Sequence, residues 1–159
     1  MTGPDGSLRR AGAADLRALA GLWLDVTRHH SAIDRQFTPR GDAEPEVIRL
    51  LDAQLSDPDT AIFVWDSAGQ LQGFCTVRVD RAPPILEETE RAEIVDLGVR
   101  SEERRRGVGR SLADAALAWV RARGTERVEV RVAARNREGQ AFWRALEFDD
   151  LMDVLQRRL

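Results

Sequence analysis

Arg104-Arg105-Arg106-Gly107-Val108-Gly109 is a basic, glycine-containing run between a strand-like segment, residues 93–99, and an amphipathic segment with Val108, Leu112, Ala115, Ala116, Trp119 and Val120 as its apolar stripe. The 3.6-residue spacing of that stripe predicts a helix running to about Arg123, with Gly124 placed to end it. A loop of this kind at a helix start is suited to a pyrophosphate. The first N–H groups of a helix lack intrahelical partners, the helix dipole favours negative charge there, and glycine lets the backbone close on oxygen atoms. Arginine adds fork-shaped charged donors, although a charge run is also a common solvated face.

Working outward, residues 127–133 alternate, with Val128, Val130 and Val132 opposing Glu129 and Arg131, which predicts a half-buried strand. A short helix is expected over residues 138–146, and the tail, 148–159, is expected to supply a final strand or two. Upstream, a first strand is expected over 8–11. A helix follows over about 14–29, with Leu16, Leu19, Ala20, Trp23 and Val26 on one side, and a second over 46–55. Residues 61–65 and 71–79 read as strands joined by Asp66-Ser67-Ala68-Gly69-Gln70, which has hairpin chemistry. The segments 30–45 and 81–91 read as loops, the second carrying Pro83-Pro84 and Glu87, Glu88 and Glu90.

The chain has 159 residues, 43% of them hydrophobic, and no compositional break, so one domain spanning 1–159 is expected. Cys75 is the single cysteine and has no zinc-type or redox spacing around it, which points to a reducing, cytoplasmic compartment. Residues 1–7 are polar and no apolar stretch approaches a membrane span, so a soluble protein with no membrane partner is expected. A net charge of −3 argues against a general nucleic-acid surface. Lysine and tyrosine are both absent, so arginine supplies every permanent side-chain cation.

Two common phosphate loops can be set aside. A P-loop ATPase needs a lysine followed by Ser or Thr, and the chain has no lysine. A Rossmann dinucleotide site would need a third small residue where Leu112 stands, near the start of a repeated βαβ array, whereas several strands precede this loop.

Arg104-x-x-Gly107-x-Gly109 fits the Q/R-x-x-G-x-G/A signature, and residues 92–148 resemble the GCN5-related N-acetyltransferase (GNAT) superfamily in the strand before the loop, the helix after it, the next strand, and Asn136 with Ala141-Phe142-Trp143 and Phe148. The resemblance implies an α/β (α+β) fold. It would have a mixed, mostly antiparallel sheet of about six or seven strands, about four flanking helices and a splayed parallel strand pair. It also implies acetyl-CoA as acyl donor, with no metal. The pantetheine arm would lie along the backbone of Leu97, Gly98 and Val99, and the pyrophosphate on amides from Arg105, Arg106, Gly107, Val108, Gly109 and Arg110, beside the signature Arg104. Asn136 would touch the cofactor or simply cap a helix.

The implied activity is transfer of an acetyl group to a primary amine of a small molecule or peptide, by direct attack in a ternary complex. A lysine-like amine, of pKa about 10.4, costs roughly 4.6 kcal/mol to hold neutral at pH 7, so a positioned base is useful. Glu93 precedes Gly107 by fourteen positions, matching the general base of the superfamily's histone acetyltransferases; an ion pair with an arginine is its alternative role. Asp96 falls on the opposite strand face unless a bulge intervenes. The pattern breaks where Trp143 and Glu147 replace the usual Tyr of Phe-Tyr and Gly of Gly-Phe, and an indole cannot serve as the missing acid. A non-catalytic acyl-CoA-binding module is therefore the alternative. The acceptor would meet His29, His30, Asp34, Arg35 and Phe37, with Glu87, Glu88 and Glu90 as candidate attractors for a cation, and homodimers are common in the superfamily.

Overall fold

A computed structural model describes residues 5–157 and 159, so the first four residues of the polar segment 1–7 lie outside the described residues. Five strands form one sheet in the order β1-β2-β3-β4-β5: β1 Ser7–Arg10, β2 Thr60–Ser67, β3 Gln70–Arg81, β4 Glu90–Val99 and β5 Val128–Val130. Helices α1 Leu16–Ile33, α2 Glu44–Ser56, α3 Val108–Ala122 and α4 Arg137–Arg144 accompany it. The first three strand pairings are antiparallel and β4–β5 is parallel.

The expected mixed sheet with a parallel pair is present, but it has five strands rather than six or seven. No strand forms in 148–157 or at 159; Leu151, Met152, Val154 and Leu155 are exposed there. The stretch expected as a strand over 127–133 keeps ladder bonds only at Val128–Val130. The loop expected from His30 begins later, because α1 continues to Ile33.

Local chemistry sets these boundaries. The β2–β3 hairpin closes on Ala68 (φ 51°) and Gly69 (φ 81°), a pair of left-handed residues that matches strand twist, and Asp66 Oδ1 accepts from the Gly69 N–H at 2.9 Å. Gly124, at φ 79°, follows the end of α3, as its sequence position suggested.

Two apolar layers hold the sheet. One packs α1 and α2 on Ile62, Val64, Leu71 and Phe74; the other packs α3 and Trp143 of α4 on Phe63, Cys75, Val77, Ala92 and Ile94. Cys75 is fully buried packing in the second layer. Gly98 marks the closest approach of the first layer. A Cβ there would stand 2.6 Å from Val26 Cγ2 of α1 and 2.8 Å from Phe74 Cε1.

Gly98→Ala should therefore destabilise the fold by about 1–3 kcal/mol through overpacking, read as a lower urea midpoint at unchanged slope.

Candidate active site

β4 is the strand from which the site is built. Ala92, Glu93 and Ile94 align with Val128, Glu129 and Val130 of β5, and the register stops there although β4 continues to Val99. The parallel pair is therefore splayed over the last half of β4. On the other edge β3 stays paired to the end, through Phe74↔Gly98 and the bond from the Arg100 N–H to the Gln72 carbonyl at 2.8 Å.

Because backbone direction alternates along an antiparallel ladder, the Arg100 bond puts the Gly98 N–H and C=O toward β3 and those of Leu97 and Val99 toward the splay. Of the three residues expected to offer backbone, Leu97 and Val99 face the open side and Gly98 faces inward. The Val99 carbonyl already accepts from Arg104 Nε at 3.2 Å.

The loop after β4 carries two left-handed residues, Arg105 (φ 60°) and Gly107 (φ 89°), and α3 starts without a side-chain cap. The first bond returning from α3 is Ser111 N–H to the Gly107 carbonyl at 3.0 Å. Among the described residues the N–H groups of 105–110 meet no backbone acceptor, which leaves them available to an anion at a helix N-terminus. Gly109 lies beneath Phe142, with ordinary contact distances of 3.5 Å or more around the place of a Cβ.

The three arginines have separate tasks. Arg104 turns inward, clamping the Val99 carbonyl and donating from Nη1 to His29 Nε2 at 3.0 Å. This contact needs a neutral His29, and burial together with Arg104 holds that imidazole below its ordinary pKa. Arg106 pairs with Glu103 at 3.1 Å. Arg105 and Arg110 are exposed and make no ion pair among the described residues. An open cleft of about 250 Å³ lies between α1 and this loop, lined by Asp25, Val26, His29, Val99, Arg100 and Arg104 among others.

Asn136 caps α4, its Oδ1 accepting from the Gly139 N–H at 2.9 Å, which commits that oxygen to the helix. Trp143 is buried edge-on between Phe142 and Phe148, at ring-centroid distances of 4.9 and 5.1 Å, and its indole is a core group.

A bulge in β4 determines where the carboxylates point. Thr76 aligns with Asp96 but the adjacent Val77 aligns with Ile94, so Val95 is an extra residue. The bulge that strand alternation alone does not supply is present, and it brings Asp96 to the same face as Glu93, toward α1. Glu93 lies between Arg78 Nη2 at 2.8 Å and Arg131 Nε at 3.6 Å. Asp96 is half-buried, has no salt bridge among the described residues, and lies against the Trp23 indole of α1. Burial, reinforced by the nearby charge of Glu93, pushes the Asp96 carboxyl above its ordinary pKa; the Trp23 indole N–H opposes this. Thr76, directly across the ladder, is fully buried with its Oγ1 unpartnered.

The remaining acceptor candidates divide. His30 packs edge-on against Phe37, their centroids 6.3 Å apart, and Asp34 accepts from the Gln36 N–H; these residues and Arg35 stay on the α1 side. Glu88 pairs with Arg127 at 2.6 Å and Glu90 accepts from Thr125. Glu90 opens the ten-residue β4, so it lies roughly 30 Å from Val99 and the phosphate-loop end of the strand. Sequence spacing did not reveal Arg78, Arg131 or Trp23 as neighbours of the carboxylates, because β3, β5 and α1 meet there only through tertiary structure.

The sequence model of the acetyltransferase (GNAT) family matches residues 23–148, and the chain belongs to that family. Mycothiol acetyltransferase of Clavibacter sepedonicus is 33% identical over 120 residues, covering 75% of this chain and 36% of that protein. Its counterpart in Clavibacter michiganensis subsp. michiganensis is 34% identical over 103 residues, covering 64% of this chain and 31% of that protein. The chain thus spans about a third of the length of these relatives. Among solved structures, a mutant of a Bacillus halodurans protein superposes with a TM-score of 0.85 at 20% identity, covering 96% of this chain and 99% of that one. The aminoglycoside N-acetyltransferase AAC(6')-Iy in complex with CoA superposes with a TM-score of 0.81 at 18% identity, covering 99% and 97%. These likenesses establish the fold.

Two predictions follow from the loop and the bulge. Gly107→Ala should cost about 1–2 kcal/mol of stability because of its left-handed backbone, whereas Gly109→Ala, inside α3 with room for a methyl group, should be neutral or stabilising by up to about 1 kcal/mol; thermal unfolding of both variants checks the contrast. Since folding raises the Asp96 pKa, the native state binds more protons than the unfolded chain between the ordinary and the raised value. Wild-type stability should therefore fall as pH rises through that window, while Asp96→Asn lacks this slope. Urea titrations at acid and neutral pH should show the variant gaining on wild type as pH increases.

Proposed function

We propose that this chain is an acetyl-CoA-dependent N-acetyltransferase acting on a primary amine of a small molecule, by direct attack in a ternary complex. The observation that carries the reading is the combination of an open β4 edge, at Leu97 and Val99, with amides at 105–110 that have no backbone acceptor among the described residues. An extended amide-containing arm can pair with the first while its pyrophosphate fills the second. The relatives' names support a small-molecule acceptor: one is a mycothiol acetyltransferase and a structural neighbour is an aminoglycoside N-acetyltransferase.

When bound, acetyl-CoA supplies an activated thioester. The amides of Arg105, Arg106, Gly107, Val108, Gly109 and Arg110 hold its pyrophosphate, and the exposed Arg105 and Arg110 side chains add charge at the rim. Leu97 and Val99 orient the arm through their main chain. Gly98 keeps α1 close, Arg104 fixes the loop to the end of β4, and Asn136 contributes by positioning α4. Glu93 accepts the acceptor's proton, directly or through a water, and Arg78 and Arg131 hold its carboxylate in place.

A non-catalytic acyl-CoA-binding module is the competing reading, favoured by one observation: Trp143 is buried in the core and the chain has no tyrosine. Turnover separates the two. Wild-type protein should bind acetyl-CoA in a calorimeter and release free thiol when a panel of primary amines is added. Glu93→Gln should lower kcat about 100-fold or more while changing acetyl-CoA affinity less than about twofold. Binding without thiol release on any amine, unchanged in Glu93→Gln, would establish the module instead.

A further inference from the structure

Acyl transfer from a thioester leaves a proton to be placed. The N–C bond forms and the C–S bond breaks, the amine gives up one proton, and the sulfur departs as a thiolate that must gain one. Few groups of this chain can deliver it. Tyrosine and lysine are absent, Trp143 is a core indole, and Cys75 is fully buried on the opposite sheet face, its thiol pushed well up by burial.

The face toward α1 holds two carboxyl groups brought together by the bulge at Val95. Their surroundings differ. Glu93 has guanidinium groups on both sides, Arg78 from β3 and Arg131 from just after β5. Asp96 has no cation. It faces the Trp23 indole and the unpartnered Oγ1 of Thr76, and it precedes Leu97, the first residue beyond the bulge whose backbone faces the splay.

We propose that Asp96 is the general acid of the reaction, giving its proton to the departing thiolate while Glu93 takes the proton of the amine. The assignment rests on the acyl-transfer reading above. Each turnover moves one proton from amine to Glu93 and one from Asp96 to sulfur, and exchange with solvent restores both carboxyl groups, so the net products are amide and thiol. Burial and the charge of Glu93 favour the protonated form of Asp96 that this role needs. The charge that acts on it is Glu93 on its own strand; Arg78 on β3 and Arg131 after β5 pair with Glu93, Glu129 of β5 pairs with Arg127, and α1 contributes the neutral Trp23.

The test compares wild type with Asp96→Asn, Asp96→Glu and Glu93→Gln. Thiol release from acetyl-CoA is followed across pH with whichever amino sugar, diamine or peptide amine wild type accepts. Asp96→Asn should lower kcat about 100-fold or more, keep acetyl-CoA affinity within about twofold, and abolish the alkaline fall of the wild-type profile; Asp96→Glu should recover part of the rate. Glu93→Gln should lower kcat while leaving the alkaline fall in place. Independently of turnover, infrared titration of the free protein should show a protonated-carboxyl band above the ordinary carboxylate range, lost in Asp96→Asn and kept in Glu93→Gln. Active wild type with an Asp96→Asn variant that retains kcat and the alkaline limb, or the absence of that band, overturns the assignment alone. Wild type that binds acetyl-CoA but acylates none of the amines overturns the acyl-transfer reading, and this inference with it.

Discussion

β4 loses its parallel partner beyond Ile94, and the polar groups it frees determine how the surrounding structure is arranged. An unpaired backbone group shut away from water costs about as much as a lost hydrogen bond, so such an edge persists only if water, a ligand or a side chain meets it. Side chains close part of it. Arg104 takes the Val99 carbonyl, and Gln140 of α4 donates to the carbonyls of Ala133 and Ala134 where the chain leaves β5. The Leu97 edge and the amides of 105–110 are what remains, and they form a connected polar line.

The Arg104 clamp shows why arginine, rather than any cation, suits its position. Its Nε and Nη1 serve the Val99 carbonyl and His29 together, joining the end of β4 to α1 from one rigid fork. A lysine ammonium at the end of a flexible stem lacks that planar geometry. The signature residue thus acts on the loop's shape, and the anion falls to main-chain N–H groups.

That division explains what could be read in the sequence. Donor recognition relies on backbone geometry, which depends on a left-handed glycine at 107, a small residue at 109 and an apolar helix stripe beginning at Val108; all leave fixed spacings. The β2–β3 hairpin was legible for a related reason, because residues 61–65 are an unbroken apolar run, 71–79 is rich in apolar residues, and Asp66 with Gly69 marks the turn between them. The face of Asp96 was not legible. One extra residue at Val95 inverts the alternation after it, and nothing in Ile94-Val95-Asp96 signals that insertion, since all three residues suit a regular strand. The strand count failed at the tail for a different reason. Leu151, Met152, Val154 and Leu155 have strand-like chemistry, but such a segment becomes a strand only by pairing with an edge, and in this structure they are exposed.

Trp143 connects the aromatic packing with the proton problem. Its ring fills the space between Phe142 and Phe148, closing the α3-side core where the sheet narrows to β5. Phe142 is thereby set over Gly109 in the first turn of α3, where the phosphate loop ends. A tyrosine in the same buried place would need a partner for its hydroxyl, whereas the indole brings more apolar area but cannot act as an acid near neutral pH. The larger aromatic therefore strengthens the support beneath the donor loop while removing proton transfer from that side of the sheet. The chemistry is left to the α1 face, where the bulge has brought two carboxyl groups into unlike surroundings.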